Sequence, residues 1–79
     1  MKNEQIRTIL VKHGRLSIDA STLADDSDLY GAGLTSLTTV SLMLALEDEF
    51  SVEFPDNMLS RKTFQSIQSL SEAITTLQS

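Results

Sequence analysis

Apolar residues recur along this chain at helical rather than strand spacing. Ile6, Ile9 and Leu10, followed by His13, fall at i, i+3, i+4 and i+7, which predicts a first helix stopped by Gly14. His13 completes its apolar face as a semi-buried packing residue. A second helix is predicted over 36–50, with Leu37, Val40 and Leu44 facing inward beside Met43 or Leu46, and Thr35 as its N-cap. Leu37 also reads as an exposed recognition residue, and the pattern leaves its two roles open. Pro55 ends the following stretch, Asp56 caps a short helix over 57–61, and Phe64 packs behind it. A last helix begins near Ser66 with Ile67, Leu70, Ile74 and Leu77 on one face. The segment from Leu16 to Thr35 is a long connection rich in Ser, Asp and Gly. A connection of that length needs anchors in a compact domain, and Ile18, Leu23, Leu29 and Leu34 are the candidates. The pattern contains no repeat and no linker. It predicts an all-α, small four-helix bundle, three helices long and one short, with a long loop between the first two.

Composition agrees with one folded domain over residues 1–79. Hydrophobic residues make up 41% and charged residues 22% of the chain, outside the disordered range. A chain of this length buries roughly 60% of its unfolded surface, enough for one modest core. Cysteine is absent, so disulfides and thiolate metal sites are excluded, and any thiol chemistry must come from a cofactor. Lys2, Asn3 and Glu4 open directly into a helical pattern, and no long apolar run or lipidation signal is present. The expectation is a cytoplasmic domain that does not insert into membranes.

Charge is uneven. No basic residue lies between Arg15 and Arg61, whereas that stretch carries Asp19, Asp25, Asp26, Asp28, Glu47, Asp48, Glu49, Glu53 and Asp56. Such a field repels nucleic acid and attracts basic protein surfaces, although it also serves plain solubility. Within it, Ser36 stands at the first turn of the second helix, directly after the glycine-containing run Gly31-Ala32-Gly33. The unpaired N–H groups and positive dipole end of a helix start suit a phosphate attached there.

The run Asp28-Leu29 … Gly33-Leu34-Thr35-Ser36-Leu37, then Val40, Ala45-Leu46-Glu47-Asp48-Glu49-Phe50 and Phe54-Pro55-Asp56, resembles the acyl carrier protein family. Phe64-Gln65-Ser66-Ile67 followed by Leu70 extends the resemblance over nearly the whole chain. It implies that the Ser36 hydroxyl receives 4′-phosphopantetheine from coenzyme A, and that the arm's thiol holds acyl groups as thioesters. A serine is a poor nucleophile without a base, and none lies near Ser36 in sequence. A phosphopantetheinyl transferase with its metal would have to activate it. The carrier is then not an enzyme and has no catalytic residues.

The resemblance also implies recognition by partners with basic docking surfaces, namely an acyl- or aminoacyl-loading ligase and downstream transferases or synthases. Thr35, Leu37, Thr38, Ser41, Glu47 and Asp48 are the candidate recognition residues. Most carriers of the family have an acidic residue before the serine, and here it is Thr35. Thr38 and Ser41 also replace acids that are frequent in fatty-acid carriers. A housekeeping fatty-acid role is therefore in doubt. The favoured reading is a carrier in a specialised fatty-acid, lipid or polyketide pathway. An aminoacyl or peptidyl carrier served by an adenylating ligase is the alternative, and an unmodified helical adaptor the third. Monomer is the expected state, since no large apolar face is left over.

Other chemistry fits less well. Asp26, Asp28 and Gly31 match three positions of a calcium loop, but Tyr30 and Leu37 stand where ligands are required. Gly33-Leu34-Thr35-Ser36-Leu37 is not a Gly-x-Ser-x-Gly elbow. Met43 and Met58 read as core filler with enough flexibility to let a cavity open.

Overall fold

The computed structural model describes residues 2–13 and 22–78. Expectations placed on Gly14, Leu16 and Ile18 lie outside these residues. Four α-helices are seen among the described residues. They are α1 (Lys2–His13), α2 (Ser36–Phe50), α3 (Arg61–Phe64) and α4 (Ile67–Gln78), with a 3-10 turn at Asp56–Met58 before α3. Helix α1 packs against both α2 and α4, and α3 packs against α4.

The core is aliphatic, and each helix contributes its share. Ile6 and Leu10 of α1, Leu42 and Leu46 of α2, and Ile67, Leu70 and Ile74 of α4 are fully buried, together with Leu29 from the connection. Burying each such side chain contributes about 1.5–3 kcal/mol. Phe64 closes one end of this core, its ring centroid 5.5 Å from that of Phe54. Met43, Met58, Leu23 and Leu77 pack around the margin as partly buried residues. Leu29 and Leu34 are buried anchors of the long connection, as the pattern predicts.

Polar groups complete that anchoring. The Leu29 N–H donates to the Gln65 carbonyl at 2.7 Å, and the Gln68 N–H donates to the Asp25 carbonyl at 2.8 Å. Arg7 of α1 donates to the Leu23 carbonyl and pairs with the Asp25 carboxylate, both at 2.8 Å. The connection is thereby tied to α1 and to the start of α4.

Three sequence expectations change. His13 is exposed and does not complete a packing face, since Ile6, Ile9 and Leu10 already fill the contact with the core. The predicted short helix over 57–61 is divided into the 3-10 turn and α3. Asp56 lies inside that turn, its carbonyl accepting from the Leu59 N–H at 3.1 Å, and Pro55 takes the cap position. The third change concerns the facing of α2. Leu37, Val40 and Leu44 point to solvent, with 80, 51 and 56% exposure, while Leu42 and Leu46 are fully buried. Helix α2 is apolar on two faces, so spacing alone does not reveal which one meets the core.

Candidate functional site

Ser36 is positioned by the turn before it and the cap around it. Residues 28–34 form a tight coil: the Asp28 carboxylate accepts from the Tyr30 N–H at 3.1 Å, and the Leu29 carbonyl accepts from the N–H groups of Ala32 and Leu34 at 3.1 and 3.0 Å. Gly33 has φ of 116°, a conformation that side chains with a Cβ rarely adopt. The chain then enters α2 through a reciprocal capping box. The Thr35 hydroxyl accepts from the Thr38 N–H at 3.2 Å, and the Thr38 hydroxyl accepts from the Thr35 N–H at 2.9 Å. Thr38 thus does the work usually given to Glu or Gln at this position. Thr39 adds a hydroxyl donated to the Thr35 carbonyl at 2.6 Å.

Between these fixed points Ser36 is exposed, and among the described residues its hydroxyl has no hydrogen-bond partner. The first turn of α2 carries no acidic side chain. The positive end of the helix is therefore not neutralised locally, which favours a phosphate on Ser36.

The remaining sequence candidates separate into different environments. Leu37, Ser41, Leu44 and Asp48 recur at helical spacing and are all exposed, forming an outward stripe that begins beside Ser36. Val40 borders the stripe. Thr35 is exposed and Thr38 half-buried, both engaged in the cap. Glu47 is half-buried, and its carboxylate accepts from the Phe54 N–H at 2.8 Å and ties the end of α2 to the next segment.

A feature that sequence reasoning missed lies on the other side of Ser36. An open groove of about 350 Å³ runs from Ser36 past Val40 and Met43 to Leu59, Arg61 and Tyr30. The Arg61 guanidinium sits 4.1 Å from the centroid of the Tyr30 ring. No local motif links Tyr30 with Arg61. The only sequence signal was that Arg61 is the first basic residue after the long acidic stretch.

Residues 4–74 match the family described as phosphopantetheine attachment site, PP-binding. The chain belongs to this family of carrier proteins. The cofactor of the carrier is therefore 4′-phosphopantetheine, and the carrier acts with partner enzymes rather than as a catalyst. The geometry suits that group: an exposed, unengaged hydroxyl on a firmly capped turn, beside an open groove, leaves room for a bulky phosphodiester-linked arm.

Among curated proteins, the carrier is 49% identical over 72 residues to the aminoacyl carrier protein of Agrobacterium fabrum, covering 91% of this chain and 87% of that protein. It is 31% identical over 78 residues to aminoacyl carrier protein 1 of Bradyrhizobium diazoefficiens, covering 94% and 87%. Among solved structures, the carrier protein from Agrobacterium tumefaciens, complexed with an engineered Bradyrhizobium japonicum glycine–carrier protein ligase and ATP, superposes with a TM-score of 0.92. That match has 46% identity and covers 96% of this chain and 99% of the other. No helix among the described residues is long and apolar enough to cross a membrane.

Proposed function

We propose that residues 1–79 act as one aminoacyl carrier domain, with 4′-phosphopantetheine attached through a phosphodiester to Ser36 Oγ. When bound, the arm supplies a terminal thiol that holds the cargo as a thioester. A phosphopantetheinyl transferase installs it from coenzyme A, and a separate amino-acid-activating ligase loads it with ATP. Both requirements make the cytoplasm the place of action. The observation that carries the cargo assignment is the 49% identity to an aminoacyl carrier protein across nearly the whole chain. The relative from Bradyrhizobium japonicum, 28% identical with a TM-score of 0.79, is known in glycylated form with its glycine–carrier protein ligase.

This reading displaces the specialised fatty-acid, lipid or polyketide pathway favoured by sequence alone. The neutral first half of α2 supports the same change. Thr35, Thr38 and Ser41 remove acids frequent in fatty-acid carriers, and Thr35 and Thr38 are committed to the cap. The outward stripe Leu37–Ser41–Leu44 offers an apolar contact for the loading ligase, with Asp48 as a charged end.

The test is to purify the arm-bearing protein from its native cell and identify what mild base releases. A free amino acid is expected. A fatty or polyketide acid would overturn the aminoacyl reading while leaving Ser36 as the attachment point.

A further inference from the structure

The groove beside Ser36 holds a cation in an unusual setting. Arg61 is exposed, lies over the Tyr30 ring at 4.1 Å, and has no carboxylate partner among the described residues. It lines the same groove as Ser36. Guanidinium groups stack on aromatic faces while keeping their in-plane N–H donors directed outward, and those donors match phosphate oxygens. Stacking on Tyr30 also restricts the side chain in advance, so less rotamer freedom is lost when an anion arrives.

We propose that Arg61, oriented by Tyr30, is a positioning residue for the phosphodiester of the arm. This inference rests on attachment at Ser36. Held by Arg61, the arm leaves Ser36 along the groove, against Val40 and Met43, and not across the outward stripe. Leu37, Ser41 and Leu44 stay uncovered for the loading ligase while the arm is parked. An exposed ion pair is weak, so the docked arm outweighs the released arm only by a few-fold and can swing out to an enzyme.

The experiment uses 15N-labelled protein carrying one arm, with the modified residue located by tandem mass spectrometry. The 31P resonance of the phosphodiester and the Arg61 side-chain Nε–H resonance are followed with and without the arm. Attachment should shift the Arg61 signal. In Arg61→Gln, the 31P signal should move part of the way toward its position in urea-unfolded arm-bearing protein, because the helix N-terminus remains, and contacts between the arm and Val40 should weaken a few-fold. Arg61→Lys should fall between, because it keeps the charge but loses the planar fork.

If Arg61→Gln does not fold, a salt titration of the unsubstituted protein gives the same decision, since docking through an ion pair makes the 31P position salt-dependent. A 31P signal that ignores both substitution and salt overturns the role of Arg61 and leaves Ser36 intact. Attachment at another residue, or none at all, overturns the Ser36 reading and this inference with it.

Discussion

Replacing Thr35 by alanine isolates the cap that holds Ser36 in place. The Thr35 hydroxyl accepts from the Thr38 N–H at 3.2 Å, and alanine leaves that donor without its partner. The reverse bond, from the Thr35 N–H to the Thr38 hydroxyl at 2.9 Å, uses the backbone and survives. Loss of one N-cap side chain costs about 1 kcal/mol, within a range of roughly 0.5–2. A domain of this size is stable by only about 4–12 kcal/mol, so the change is measurable. The melting temperature should fall by about 4–8 °C per kcal/mol. Urea unfolding followed by circular dichroism should show a lower midpoint with an unchanged slope, the mark of a stability change without altered compactness.

The loss is also local. Fraying of the first turn should rise about five-fold for 1 kcal/mol, visible as faster hydrogen exchange at the Thr38 and Thr39 amides, which donate to the Thr35 hydroxyl and carbonyl. Thr35→Asp restores an acceptor and adds a charge that the helix dipole favours, so it should recover the alanine loss. Thr38→Ala should cost less, because the exposed Thr35 N–H it frees is satisfied by water. An unchanged midpoint and unchanged exchange in Thr35→Ala would refute the cap as the device that orders Ser36.

Two leucines of α2 and the serine that follows it provide further tests. Leu42→Ala removes a fully buried side chain and should cost about 2–5 kcal/mol, whereas exposed Leu44→Ala should stay within about 0.5 kcal/mol. Urea melts of the pair check the facing of α2, and Leu44→Ala should slow loading by the ligase without changing stability. Ser51 holds φ of 53° as it ends α2, with its N–H donating to the Glu47 carbonyl. Left-handed geometry costs a non-glycine residue about 1–2 kcal/mol, so Ser51→Gly should raise the melting temperature by a few degrees. Calorimetry that finds a lower melting temperature would count against strain at that residue.

The parts of the fold legible in sequence were those where one interaction decides the outcome. Helices α1 and α4 each have a single apolar face, so Ile6, Leu10, Ile67, Leu70 and Ile74 were readable as core from spacing alone. The start of α2 was readable because Thr35 is a cap and Gly33 a turn former. Its facing was not. Leu42 and Leu46 compete with Leu37, Val40 and Leu44 for the interior, and only packing against α1 settles which set is buried. His13 failed for a related reason, as a helix spacing match does not say where the facing surface ends. The place of Ser36 at the start of α2 was legible from the residues before it, whereas the Tyr30–Arg61 pair joins residues far apart in the chain and needs the folded chain. Glu47 was readable as charge but not as an acceptor for the Phe54 N–H.

The central claim is attachment of the arm at Ser36. Its most direct measurement is intact and tandem mass spectrometry after incubation with coenzyme A and a broad-specificity phosphopantetheinyl transferase. One phosphopantetheine on the unsubstituted protein, located on Ser36, with none on Ser36→Ala, is the expected result. No mass gain on the folded protein, or the same gain on Ser36→Ala, would contradict the account.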